Sequence, residues 1–367
     1  MGIEFLNFLS RKRKKSNGGQ ALPTVEPEKV PEYEEGFQEE ENRVIRLVSN
    51  KKIKKAYKVT GIEDVASKNN WKAWVYLAPV VVLISVFLLY PLVNTIFISF
   101  ADNYKYATGK FDGITLKNFG IIFGWVTAGA GGKEIYFTKY ALPNTLLITF
   151  ITVPVSITLA LIISVALNSI KWFQKFLQTV FFLPYVTNAV AIGLVFSVIF
   201  DKAGIINYVF HSNIVWIYGA ERAVAFIPLC LYIVWNSIPF KILILLSGLQ
   251  GIDKQYYQAA QIDSCPKIKT LWKITVPLLS PQILYLMITS FIGSFKEYTS
   301  IVAIFGGPGT MGKNSNVPDM ETIVYYVYDA VEKGQTSRAA AAGVFLFLII
   351  LAFTFLQFGV SKRRVHY

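Results

Sequence analysis

Nucleophile and general-base chemistry needs clustered histidines, cysteines or carboxylates, and this sequence supplies none in a usable spacing. The two histidines, His211 and His366, and the two cysteines, Cys230 and Cys265, lie far apart in the chain. Neither pair has metal-ligand or disulfide-framework spacing. No catalytic residue and no metal site is expected, so the chain itself is not expected to be an enzyme. The residues that could do chemistry of another kind are polar groups inside long apolar runs. They are Trp235-Asn236-Ser237-x-Pro239-Phe240-Lys241, Ser290-x-x-Gly293-Ser294-Phe295-Lys296-Glu297-Tyr298, and Thr187-Asn188 after Pro184. Such groups are costly in lipid and either line a cavity or pair with each other. Hydrogen-bonding side chains beside aromatic faces suit a sugar, and small polar residues equally suit helix–helix packing. Both readings stay open for each residue. Lys296 and Glu297 are adjacent and cannot face each other on a helix. Lys241 is therefore expected to pair with Glu297 across two runs.

The elements that carry these residues are apolar and long. Of 367 residues, 53% are hydrophobic and only 16% charged, with a mean hydropathy of +0.45. A soluble domain has about a quarter of its residues charged, so lipid is the expected solvent. Six apolar runs span about 74–100, 141–167, 176–200, 223–249, 276–305 and 339–360. Each has the roughly 20 residues that cross a ~30 Å hydrocarbon layer as a helix. The expected fold is an all-α polytopic membrane protein with six transmembrane helices over residues 71–367. Prolines inside the runs (Pro79, Pro91, Pro154, Pro184, Pro239) are tolerable where neighbouring helices satisfy the freed carbonyls.

Residues 1–70 form a separate arm. Arg11 to Lys15 are all basic, and a Pro/Glu-rich stretch follows rather than an apolar segment. A cleavable signal peptide is not expected, and most of the arm reads as disordered. Between Glu39 and Tyr57 it reads either as a basic amphipathic helix on anionic lipid or as a soluble helix or coil. The net charge of +13 is best explained by topology rather than by nucleic acid. Lys72, Lys171, Lys175, Lys254, Lys267, Lys269, Lys273, Lys362, Arg363 and Arg364 flank alternate ends of the runs, against only Asp253 and Asp263. The other loops (101–139, 201–222 and 306–337) hold as many acids as bases. Cytoplasmic loops collect Lys and Arg, so the arm, the 251–274 loop and the C-terminal tail are expected in the cytoplasm of a cell-membrane protein.

The 251–274 loop is more than a connector. Tyr257-Gln258-Ala259-Ala260 favours a short helix, Asp263-Ser264 reads as a stop followed by an N-cap, and Pro266 suits the first turn of a second helix. Ile268, Leu271, Trp272 and Val276 continue at helical spacing. The result is a compact helix-turn-helix with an alanine face that another protein can approach closely. Gln258-Ala259-Ala260-x-x-Asp263, followed by Ile274-Thr275-Val276-Pro277-Leu278-Leu279, resembles the "EAA" loop of binding-protein-dependent ABC importer permeases. Further stretches resemble the maltose-type sugar permeases: Leu89-Tyr90-Pro91-Leu92, Ile98-Ser99-Phe100, Pro143-Asn144-Thr145, Leu183-Pro184-Tyr185-Val186, Gly306-Gly307-Pro308 and Ala339-Ala340-Ala341. The likeness covers about residues 72–367.

The resemblance implies a type I importer half, a permease subunit that brings a sugar or oligosaccharide into the cytoplasm by alternating access. Its implied partners are a second, similar permease, two cytoplasmic ATPase subunits and an extracellular solute-binding protein. ATP and Mg would belong to the ATPase, because this sequence has no Gly-x-x-x-x-Gly-Lys-Ser/Thr phosphate loop. Tyr257, Gln258, Ala259, Ala260, Asp263, Ser264 and Pro266 would couple to the ATPase. Two of these depart from the family pattern, Gln258 standing for Glu and Ser264 for Gly. If φ is positive at that turn, Ser costs more than Gly. Carried over by position, substrate contacts would fall on Ile233, Asn236, Ser237 and Phe240, and on Ser290, Gly293, Ser294 and Glu297. Only Ser290 matches the family residue, with Phe240 close to it. Asn188 joins them as a polar residue of the third run. The alternatives are a permease for another solute class, or a secondary transporter. The latter should show repeated halves, and no convincing internal repeat is found.

Overall fold

The computed structural model describes residues 70–127, 136–170, 174–307, 310–311 and 319–361. The arm, with its expected amphipathic segment, and the basic tail lie outside the described residues. The chain divides after Val82, and the packing described below is that of Leu83 onward.

Four helices are long and apolar enough to cross a membrane unbroken: α1 (Trp74–Phe100), α3 (Phe137–Ser169), α7 (Arg222–Gln250) and α13 (Thr336–Ser361). The third and fifth runs are bent rather than straight. The third is α4 (Gln174–Val186) followed by α5 (Ala189–Ile199), turned by 94°. In the fifth, α9 (Lys267–Leu278) meets α10 (Ser280–Phe295) at 69°. Counting each bent pair as one span gives six crossings. The expected helix to Phe305 breaks again at Lys296–Tyr298, and a separate α11 (Thr299–Phe305) follows. Between spans lie α2 (Lys117–Ile122), α6 (Ile205–Val209), α8 (Lys254–Ile262) and α12 (Ile323–Glu332). A short antiparallel pair, β1 (Ala101–Asp102) with β2 (Gly113–Ile114), leaves the end of α1.

The described π-helical turns share one sequence cause. Ser85–Leu89, Phe137–Ala141 and Leu271–Thr275 each end two residues before a proline, at Pro91, Pro143 and Pro277. Proline lacks an N–H and its ring clashes with the carbonyl four residues back. The turn just before each proline is widened by one residue, the last N–H ahead of the ring reaching five residues back: Tyr90 to Ser85 O, Leu142 to Phe137 O, and Val276 to Leu271 O. The Tyr-Pro, Leu-Pro and Val-Pro steps picked out in the sequence therefore mark widened turns.

The larger apolar core runs through α3, α7, α10, α12 and α13, with Ile157, Leu245, Leu286, Phe295, Tyr326 and Ala341 buried. Polar side chains within it bond along or between helices: Thr145 and Thr152 to carbonyls one turn back, Ser164 Oγ to Ile242 O of α7 at 3.3 Å. A smaller core gathers Ile148, Leu229, Tyr232, Ile301, Phe305 and Tyr325. There α5 packs on α11 so closely that a Cβ at Gly193 would collide with the side chain of Ala303, as close-packed membrane helices require of small residues.

Candidate functional site

The loop after α7 folds as a self-contained helical hairpin. Asp253 caps α8, its carboxylate accepting the N–H of Gln255 at 3.0 Å. The helix runs Lys254–Ile262, longer at both ends than Tyr257–Ala260. At its C-terminus, Ser264 N–H reaches Gln261 O at 3.0 Å and Cys265 N–H reaches Ala260 O at 2.8 Å. These two bonds make a Schellman turn, which places its next residue in the left-handed region. That residue is Ser264, at φ +51°. It is therefore the turn residue and not the N-cap expected from the sequence. Pro266 occupies the cap position before Lys267 and makes no side-chain bond. The glycine of the family pattern falls on a position whose backbone needs one.

The hairpin divides its residues between two faces. Ala260 is 7% exposed, and Tyr257 Oη lies 3.2 Å from Thr275 Oγ1 of α9. These two hold the helices together. Gln258, Ala259, Asp263, Ser264 and Pro266 are exposed. Beside them stand Tyr256 (53% exposed), Ile262 (83%), Ile268 (74%) and Trp272 (64%). Four large apolar side chains left exposed on one charged, polar hairpin are surface of the kind that a protein partner covers. Periodicity marked Ile268 and Trp272; Ile262 and Tyr256 were missed because both lie beside the alanine pair rather than in it.

The positions carried over as substrate contacts are less coherent. Asn188 caps α5, its Oδ1 accepting the N–H groups of Val190 at 2.9 Å and Ala191 at 3.4 Å. Ile233 is buried in the smaller core. Ser237 Oγ returns to Val234 O at 2.9 Å, while Asn236 stays partly exposed on the same helix. Phe240 stacks on Tyr185 of α4 at 5.8 Å. Ser290 is half-buried and Gly293 exposed, whereas Ser294 is 7% exposed and its Oγ has no hydrogen-bond partner. The expected Lys241–Glu297 pair does not form. Ion pairs do form elsewhere, at Lys117–Asp102 and Lys333–Asp329. The Glu297 carboxylate instead accepts the N–H of Ser300 at 3.0 Å, because the break at Lys296–Tyr298 leaves the first N–H groups of α11 open. Lys241 is 5% exposed within α7.

Sequence reasoning also missed a polar clamp at the far end of the spans. Asn144, fully buried, donates its amide to Asp319 O at 2.9 Å and Glu321 O at 2.8 Å and accepts Arg222 Nε at 2.9 Å. Thr145 Oγ1 accepts the N–H of Ile323 at 3.0 Å, and Thr322 Oγ1 donates to Glu297 O at 2.7 Å. Arg222 stacks over Tyr140 at 5.5 Å. Pro143-Asn144-Thr145 had been noticed only as a pattern; its partners lie too far along the chain for spacing to reveal them.

Comparison with known proteins agrees with this architecture. The permease LacF of the lactose transport system of Rhizobium radiobacter is 29% identical over 303 residues, covering 79% of this chain and 94% of the relative. MsmF, a permease of the multiple sugar-binding transport system of Streptococcus mutans, is 28% identical, covering 80% and 97%. A chain of a bacterial alginate ABC transporter, solved in complex with an alginate pentasaccharide-bound periplasmic protein, shares the fold. Its TM-score is 0.67 at 18% identity, covering 83% of this chain and 98% of that one. The family model described as the binding-protein-dependent transport system inner membrane component matches residues 156–366, a stretch that contains the helical hairpin and both bent spans. By that match, the chain belongs to the family of inner-membrane permeases of binding-protein-dependent transport systems.

Proposed function

We propose that this chain is one permease subunit of an ATP-driven carbohydrate importer, and that the α8–α9 hairpin is where a cytoplasmic ATPase grips it. The hairpin carries the reading, because it combines a closed fold of its own with exposed apolar side chains at a membrane end rich in lysine. A docking element has to hold its shape while its partner moves, and the Asp253 cap, the Schellman turn and the Tyr257–Thr275 contact supply that shape. Two ATPase subunits closing on ATP would move this hairpin and a matching one on a second permease, tipping the bent spans between inward and outward openings. The lysine-rich ends are assigned to the cytoplasm with both termini, following the bias of cytoplasmic loops toward Lys and Arg. Relatives named for lactose and multiple sugars support a carbohydrate cargo delivered by an extracellular binding protein. Among the positions carried over as substrate contacts, Asn188 and Gly293 are exposed and Asn236, Ser237, Phe240, Ser290 and Glu297 half-buried, so these keep surface to meet it.

The test is co-purification of the tagged chain from its native membrane. A second permease and a soluble ATPase should be recovered, and Ala259→Glu should lose the ATPase alone. Ala259 is the position to change because it is exposed, whereas a charge at Ala260 would break the hairpin itself. Recovery of the chain alone, or only as a homo-oligomer, would sink this reading in favour of a secondary carrier.

A further inference from the structure

At the membrane end opposite the α8–α9 hairpin, the β1–β2 hairpin presents two lysines against each other. Lys105 and Lys110 are directly paired across an antiparallel bridge, with Lys105 N–H to Lys110 O at 2.9 Å. Both side chains are exposed. Like charges directly opposite each other destabilise a strand pair. Neither nearby acid pairs with them: Asp102 is ion-paired to Lys117 Nζ at 3.0 Å, and Asp112 accepts Asn103 Nδ2 at 2.8 Å. Neither tip lysine makes an ion pair among the described residues.

This is not a loosely solvated loop. Asn118, 2% exposed, donates to Ser99 O at 3.0 Å and Ala101 O at 2.9 Å at the base of the hairpin. Tyr104 N–H bonds Ser337 Oγ at 2.9 Å, fastening it to the start of α13. Phe97 and Phe111 meet edge to face at 5.5 Å. The backbone even holds Asn103 at φ +52° to keep this course. Between the hairpin and the α12–α13 turn lies a polar cleft of about 530 Å³, lined by Asp102, Lys105, Lys117, Gln335 and Arg338 among others. Tyr106 stands 80% exposed at the tip, the residue type most often found at the energetic centre of protein interfaces.

We infer that this lysine-tipped hairpin and its cleft are the docking site for an acidic face of the solute-binding protein. The inference rests on the importer reading above and adds the surface and the charge of the partner. A fastened surface presenting two adjacent, exposed lysines with no ion pair of their own is complementary to an acidic partner, and complementary charge speeds and orients encounter. A cleft of about 530 Å³ has room for side chains of a protein. A flat layer of lipid headgroups cannot fill a recess lying between the hairpin and the α12–α13 turn.

The test uses the whole importer in lipid nanodiscs, with ATP hydrolysis followed against the concentration of sugar-loaded binding protein at low and high salt. Replacing both residues, Lys105→Glu with Lys110→Glu, should raise the half-saturating concentration about tenfold, leave the maximal rate unchanged and flatten the salt dependence. The milder pair Lys105→Gln with Lys110→Gln should shift it about threefold, and Lys105→Arg with Lys110→Arg should leave it in place. Curves for the Glu pair that superimpose on the wild type overturn the inference. So does an unchanged curve together with lost binding to phosphatidylglycerol vesicles, which would make lipid the occupant. A wild-type importer whose hydrolysis ignores the binding protein altogether would bring down the importer reading as well.

Discussion

The α8–α9 hairpin and the segment from Lys296 to Ile323 sit at opposite ends of the same spans and are held by opposite means. The hairpin is closed by bonds between near neighbours in sequence: Asp253 to Gln255, Cys265 to Ala260, and Tyr257 to Thr275, 18 residues apart at most. The other segment is held from far away. Asn144 reaches Asp319 and Glu321 across 175 and 177 residues, Ile323 reaches Thr145 across 178, and Arg222 reaches Asn144 across 78. The difference teaches what each end is for. A hairpin proposed to grip another protein needs a shape that survives without the bundle, whereas the segment between the bent fifth span and α13 has to be tied into it.

The largest test of that contrast is Asn144→Leu. It would strand two carbonyls and the Arg222 guanidinium, costing about 3 kcal/mol. Thermal unfolding in detergent should show the loss, together with new proteolysis near Asp319–Thr322. An unchanged melting temperature would mean that the long-range bonds are not what holds this end.

Next comes Ala259→Glu, on the self-contained hairpin. Stability should stay within about 0.5 kcal/mol, as for other exposed sites. Uptake into vesicles should nevertheless fall more than about tenfold, because a charge replaces the small residue at the close approach. Equal losses of stability and uptake would erase the distinction between the two ends.

Ser264→Gly acts on the same element in the opposite direction. Removing a Cβ at φ +51° should stabilise the Schellman turn by about 1 kcal/mol. The Cys265 amide, bonded to Ala260 O, should then exchange about fivefold more slowly. Faster exchange would show that the serine contributes something that the turn geometry does not require.

The smallest expected effect is no effect at all. Since Glu297 accepts the N–H of Ser300 rather than meeting Lys241, combining Lys241→Glu with Glu297→Lys should not restore uptake that either change abolishes. Recovery in the double variant would reinstate a direct pair and move Glu297 out of the turn before α11.

How far the sequence was readable follows the same division. The helix-turn-helix was legible because its signals are local: an alanine pair among helix formers, the Asp263-Ser264 stop, and Pro266 before the second helix; the Asp253 cap went unread. Ser264 was misassigned, as a cap rather than the turn, because Ser suits both and the choice depends on φ, and Pro266 took the cap position in place of the first turn. The polar residues of the spans were legible as a set and not as a site. Asn188 was spent on capping α5, Ile233 on packing, and Glu297 on the start of α11, and no pattern along the chain distinguishes these uses from lining a pathway.

By itself the sequence determined that the chain lives in lipid, how many times it can cross, and which loop folds as a helical hairpin. Lipid demands long apolar runs, and a hairpin closed by its near neighbours is encoded within itself. Only the tertiary structure decided where spans three and five bend, that three prolines are absorbed by widened turns, and which residues tie the far end together. Those outcomes depend on which carbonyls find donors from helices that are neighbours in space, and that adjacency is not written in the spacing of the residues along the chain.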